Sequence, residues 1–177
     1  MTIRAYKNIS PNIDPSAYID EDATVIGDVT IGKDSSIWPR VVVRGDVHKI
    51  TIGERTNIQD GSILHVTDDT PFNPGGHSLT IGSDVTVGHG AILHACTIGN
   101  FCLIGMGATL LDGAIVQDKV LVAAGSIVTP GKVLESGYMY LGSPARQVRP
   151  LSEKELAYLN FSSEHYVELK NNYMGQP

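Results

Sequence analysis

Aliphatic residues recur along this chain at intervals of six. Ile19, Val25, Ile31, Ile37 and Val43 open the series, and Ile52, Ile58 and Leu64 continue it. Ile81, Val87 and Leu93 follow, then Ile98, Ile104, Leu110, Val116 and Val122. Four positions after each except Leu64 comes a small or β-branched residue: Ala23, Val29, Ser35, Val41, Val47, Thr56 and Ser62, then Val85, Ala91, Thr97, Cys102, Ala108, Ala114, Val120 and Ser126. Glycine often follows the aliphatic residue directly, as at Gly32, Gly53, Gly82, Gly88, Gly99 and Gly105. A period of six matches neither an amphipathic helix nor an alternating strand. It fits short strands joined by corners, three of them closing one triangular coil of 18 residues. The aliphatic residue fills the interior of each face, and the small one lets the chain turn. Such coils stack at ~4.8 Å, with backbone hydrogen bonds running between them. An ordinary β-sandwich would not keep this spacing through sixteen units.

Composition narrows the partners. The 177 residues suit one domain, and the net charge of −6 with only 13 Lys+Arg argues against nucleic acid and acidic membranes. No apolar run reaches the ~20 residues that span a bilayer, and MTIRAYKNIS lacks the apolar core of a signal peptide. A soluble, cytoplasmic protein is expected. Cys96 and Cys102 make no disulfide framework.

After residue 128 the repeat fades through GKVLESGYMYLGSPARQVRP. Ser152-Glu153-Lys154-Glu155, just past Pro150, reads as a capping box. The spacing predicts a helix from Glu153 to about Asn171, with Leu156, Leu159, Tyr166, Val167 and Leu169 as its packing stripe. Residues 1–150 are therefore expected to form the prism, and 151–177 a helix on its flank.

Three irregularities break the period. Val43 to Ile52 has three extra residues, and Leu64 to Ile81 has 11 extra within VTDDTPFNPGGHSL. Leu93 to Ile98 is one short. If the extras bulge out at corners, His94 lies one full coil after His65, and His65 one coil after Arg44. All three follow an inward aliphatic residue, so they point outward from one face in a vertical line. Two imidazoles so stacked can converge on a zinc with Zn–N of ~2.0–2.1 Å. His89 belongs to the neighbouring face, beyond a corner, so it cannot easily join them within one chain. A second copy could supply it, because a three-sided prism packs naturally as a closed ring of three. His48 and His77 read as solvated, and His165 lies in the helix.

The repeat resembles the hexapeptide-repeat family, whose members form a left-handed parallel β-helix; the hand is implied by that resemblance alone. VVVRGDVHKITIGERTNIQDGSILHV (residues 41–66) and VTVGHGAILHACTIG (residues 85–99) closely resemble the γ-class carbonic anhydrases. The Arg-Gly-Asp, Asn-x-Gln-Asp and His…His-x4-His elements come in order, over roughly residues 10–150. The resemblance implies one zinc (with Fe2+ or Co2+ as alternatives) at each interface of a homotrimer. His65 and His94 would come from one subunit and His89 from its neighbour.

Zinc-bound hydroxide would then attack CO2 and give bicarbonate. The match suggests that Gln59 orients the hydroxide or the CO2 and that Asn57 supports it. Arg44 and Asp46 would pair with each other or with Asp60 across the subunit contact, and Tyr140 would line the site. The chain departs from the best-studied branch in two places. Val47 stands where that branch has a glutamate, and the insert offers only Asp68 and Asp69 in place of a proton-shuttling glutamate. Competing readings are an acyl-CoA transferase, since GSPARQV resembles a closing element of those enzymes, a zinc thioesterase, and a non-catalytic metal-binding member.

Overall fold

In the computed structural model, which describes residues 2–175, the six-residue period becomes three parallel-stranded faces of a prism. One face carries Ile63–His65, Ile92–His94, Thr109–Leu110 and Ile127–Val128. The next carries Leu79–Ile81, Thr97–Ile98, Ile115–Val116 and Val133–Leu134. The third carries Tyr18–Ile19, Ser36–Ile37, Asn57–Ile58, Thr86–Val87, Leu103–Ile104, Leu121–Val122 and Tyr138–Gly142. Strands Thr24–Ile31 and Val42–Ile52 run on across one corner and join the first two faces into one sheet.

The interior is the aliphatic series itself. Ile37, Val43, Ile58, Leu64, Val87 and Leu93 are each 0% exposed. Parallel pairing stacks them from coil to coil, Val43 on Leu64 and Leu64 on Leu93. Several of the glycines that follow the aliphatic residue sit where the next coil leaves no room for a Cβ. A Cβ on Gly53 would lie 2.6 Å from the Gly82 backbone, a separation no side chain tolerates.

The first irregularity is a bulge at a corner, as expected. Gly27 aligns with Gly45 and Val29 with Ile50, so Asp46 to Lys49 swing out opposite Asp28 alone. Two assignments need correction. Ile50, 0% exposed, takes the corner position expected of Val47, because the extra residues precede it. Cys96, also 0% exposed, replaces Thr97, which faces out because that hexad is one residue short.

The last coil turns back on itself. Tyr138–Gly142 pairs antiparallel with Ala145–Pro150, which ends the parallel stack of the third face. Helix Glu153–Met174 follows, opened by the expected capping box: Ser152 and Glu155 each bond the other's backbone N–H. It lies against strands Tyr18–Ile19, Ser36–Ile37 and Thr86–Val87. Its contact face is more polar than the expected stripe. Leu159 is buried, but Leu156, Tyr166, Val167 and Leu169 are only half-buried, whereas Ser162, Ser163 and Lys170 are covered. Lys170 Nζ reaches the Ser16 carbonyl at 2.7 Å and Asp34 Oδ1 at 2.9 Å, so its buried charge is paired. Trp38 fills the gap beside it, edge-on to Tyr166 and Tyr173. Met1, Gln176 and Pro177, which belong to the expected segments, lie outside the described residues. Among the described residues, no helix is long and apolar enough to cross a membrane.

The corrected corner can be tested by overpacking. Cys96→Leu should lower stability by about 1–3 kcal/mol in urea unfolding. Thr97→Leu, on the outside, should stay within about 0.5 kcal/mol.

Candidate metal centre

His65 and His94 are directly in register on adjacent strands of the first face. Leu64 and Leu93, the residues before them, are held inside the prism, so the strand's alternation turns both imidazoles out. Their rings are tilted 55° with centroids 5.2 Å apart, and His65 Nδ1 lies 3.2 Å from His94 Nε2. The other nitrogen of each ring meets a carboxylate. His65 Nε2 faces Asp46 Oδ1 at 3.1 Å, and His94 Nδ1 faces Asp112 Oδ1 at 2.7 Å.

That arrangement fixes the tautomers. A carboxylate can only accept, so each neutral ring directs its single N–H to its carboxylate. Two bare lone pairs are then left facing each other. Such a contact is repulsive unless a cation or a proton lies between them.

The carboxylates are held in turn. Arg44 bonds Asp46 within the same bulged corner, and Thr67 bonds the second oxygen of Asp112. Burial opposes the charge on Asp46, but hydrogen bonds from Arg44 and His65 outweigh it and hold its pKa below the usual carboxylate value. Asp112 is likewise lowered, with burial opposing and bonds from Thr67 and His94 prevailing. For His65, burial dominates; with help from the Arg44 charge it overcomes the bond to Asp46 and lowers the imidazole pKa. A neutral imidazole is the form that binds a metal.

His89 follows Thr86–Val87 on the third face, beyond the corner that Gly90 makes at φ +67°. It is 49% exposed, and its Nδ1 lies 2.9 Å from Asp60 Oδ2. Among the described residues of one chain, no three His, Cys, Asp or Glu side chains gather tightly enough to hold a metal. Within the chain Arg44 pairs with Asp46, as one of the expected alternatives has it, and Asp60 faces His89.

A cleft of about 360 Å³ opens beside His89, between the third face and the C-terminal helix. Gln59, Thr86, Met106, Tyr158, Ser162 and Tyr166 help to line it, and no Lys or Arg does. Gln59 is 6% exposed, and its Nε2 donates to Asn57 Oδ1 at 3.1 Å. Asn57 is 1% exposed behind it.

Tyr140 stands elsewhere. It pairs in register with Val122, an interior position, about 14 Å up the face from Val87 at three coils of ~4.8 Å. It is 2% exposed, and its hydroxyl accepts the Glu135 N–H and donates to Gln147. It packs the end of the core. In the long insert, Asp69 is occupied by the Gly75 N–H at 2.8 Å, while Phe72 is 99% exposed.

Asp112 and Thr67 were not among the expected residues. Asp112 lies one coil beyond His94, a residue past the Leu111 position that register would align with it. The same tally that stacked the histidines would have reached it if extended one coil upward.

No family model matches the chain. It is 56% identical over 174 residues to Protein YrdA of Escherichia coli (strain K12), an alignment covering 98% of this chain and 95% of that one. It is 44% identical over 162 residues to the mitochondrial gamma carbonic anhydrase 2 of Arabidopsis thaliana, covering 90% of this chain and 57% of the plant protein. Among solved structures, a hexapeptide transferase family protein from Anaplasma phagocytophilum superposes with a TM-score of 0.90 at 42% identity, covering 97% and 98% of the two chains. The prism accordingly has the left hand of hexapeptide-repeat β-helices.

The depressed His65 pKa gives a pH test. In metal-free protein its ring should titrate below the ordinary 6.5 in NMR, and Arg44→Ala should raise that midpoint. Because the folded pKa is depressed, the group's stabilising contribution is present above pH 6.5 and is lost as pH falls below it.

Proposed function

Because the chain belongs to the γ-class carbonic anhydrase-like family of hexapeptide-repeat proteins, we propose that it is a cytoplasmic, zinc-dependent enzyme hydrating CO2 reversibly to bicarbonate at the interfaces of a homotrimer. The observation that carries this reading is the His65–His94 pair, with facing nitrogens 3.2 Å apart and the other nitrogen of each ring on a carboxylate. Two nitrogens on one tetrahedral zinc at ~2.0–2.1 Å would lie about 3.3–3.4 Å apart, so the pair fits the ion. Fe2+ or Co2+ suits the same imidazole set. His89 of a neighbouring protomer would complete the ligands, its Nε2 left open because Nδ1 is turned to Asp60. Ile63 and Ile92, beside the histidines and 45% and 40% exposed, offer the apolar surface such a neighbour would cover.

When bound, zinc brings the pKa of a coordinated water toward ~7 and so supplies hydroxide at neutral pH. The chain does the rest. Asp46 and Asp112 hold the rings in one tautomer and raise their basicity. Arg44 keeps Asp46 ionised. Gln59, with its N–H directed to Asn57, presents its carbonyl oxygen to the cleft as a hydrogen-bond acceptor, suited to orienting an O–H. With Val47 in place of a glutamate and Asp69 engaged by the Gly75 N–H, the insert offers only Asp68 to carry protons away, so turnover should depend steeply on buffer.

Acyl transfer is the second reading, favoured by the transferase relatives and by GSPARQV. It sits less well with the cleft, which has no cation for a coenzyme A phosphate.

Metal analysis decides first. Protein purified without chelator should hold stoichiometric metal, and His65→Ala and His89→Ala should each lose it; a metal-free protein that binds acyl-CoA would favour acyl transfer. Asp112→Asn should weaken zinc about 10–100-fold in chelator competition. Mixing His89→Ala with His94→Ala chains should restore part of the metal binding, and no restoration would mean the site does not span chains. Stopped-flow CO2 hydration should rise with buffer concentration, whereas a zinc-loaded trimer inactive in every buffer would leave a non-catalytic metal-binding role.

A further inference from the structure

The C-terminal helix reaches the candidate site through four buried polar side chains. Gln59 Nε2 donates to Asn57 Oδ1 at 3.1 Å, and Asn57 Nδ2 donates to Thr86 Oγ1 at 3.0 Å. The Thr86 hydroxyl lies 2.8 Å from Ser162 Oγ on the helix. All four residues are between 1% and 6% exposed, so none of these bonds is readily exchanged for water.

A chain of amides and hydroxyls can in principle run in either direction. Here a backbone group sets the direction. The Val85 carbonyl, which already accepts the Asn57 N–H at 2.9 Å, also lies 3.4 Å from the Asn57 side-chain nitrogen. Flipping the Asn57 amide would turn its oxygen toward that carbonyl, acceptor against acceptor. Asn57 Oδ1 therefore faces Gln59, which must answer with its N–H. Thr86 Oγ1, having accepted from Asn57, has its own proton free, and Ser162 Oγ is the atom placed to receive it. The Gln59 carbonyl oxygen is then left free for the cleft, together with the second N–H of its amide.

We propose that Ser162 is a positioning residue for Gln59: acting through Thr86 and Asn57, the helix locks the Gln59 amide with its carbonyl toward the His89 end of the cleft. The carbonyl held there can accept a hydrogen bond from a water or hydroxyl. This deepens the carbonic anhydrase reading and rests on it for its chemistry, although the lock itself is a property of the metal-free chain. It also gives the helix a task beyond covering the prism.

The lock can be read without catalysis. The chain has four glutamines, so selective 15N-glutamine labelling yields four side-chain amide pairs, with Gln59 identified by its loss in Gln59→Glu. Exchange protection of the Gln59 amide should fall roughly five- to ten-fold in Thr86→Val and in Ser162→Ala, each of which removes one buried hydroxyl. Thr86→Ser, which keeps the hydroxyl, should restore it. Ser162→Ala suits helical structure, so it stands alone if Thr86→Val does not fold. In zinc-loaded protein Ser162→Ala should lower kcat about three- to ten-fold with little change in KM. Unchanged protection in folded Ser162→Ala would overturn the proposal. Wild-type protein without CO2 hydration would instead overturn the function and leave the amide measurement to decide the lock.

Discussion

Coil-to-coil register is the constraint on which everything else rests. Each parallel strand fixes its neighbour by backbone hydrogen bonds, and a slip of one residue would turn every interior aliphatic side chain to solvent. With Leu64 and Leu93 both at 0% exposure, the ladder has one register that keeps the core dry. His65 and His94 inherit their alignment from those two leucines. The precision of the candidate centre is thus a by-product of hydrophobic packing one residue away.

Much of this was legible in the sequence because a six-residue period leaves little freedom. The stacking of Arg44, His65 and His94, and the isolation of His89, follow from counting residues once the inserts are set aside. The count failed where it met an irregularity. Val47 and Thr97 were placed by arithmetic, whereas the chain chose Ile50 and Cys96, the nearest residues able to fill a corner after the shift. The resemblance implies a site role for Tyr140, whereas its ring at the closing coil fills the interior.

Polar partners were harder to foresee. Asp112 and Thr67 sit on different coils and meet only because the long insert leaves the prism at Thr67. Ser162 and Lys170 lie on a helix whose apolar pattern suggested a greasier contact. The prism already buries its own aliphatic residues, so the flank left for the helix is mostly the outer side of strands, where Thr86, Asp34 and the Ser16 carbonyl await partners. A helix meeting such a surface gains more from matched hydrogen bonds than from leucines. The same physics orients imidazoles on the first face and an amide on the third.

The backward turn at Ala145–Pro150 has a consequence for the molecule in a crowded cell. An open β-solenoid terminates in unpaired N–H and C=O groups, a template onto which another chain could stack and grow into a fibre. Here the final edge runs against the grain of the coils and carries Arg146, Arg149 and a proline, which lacks the N–H to extend the ladder. On the third face the repeat thus closes with its own safeguard against polymerisation.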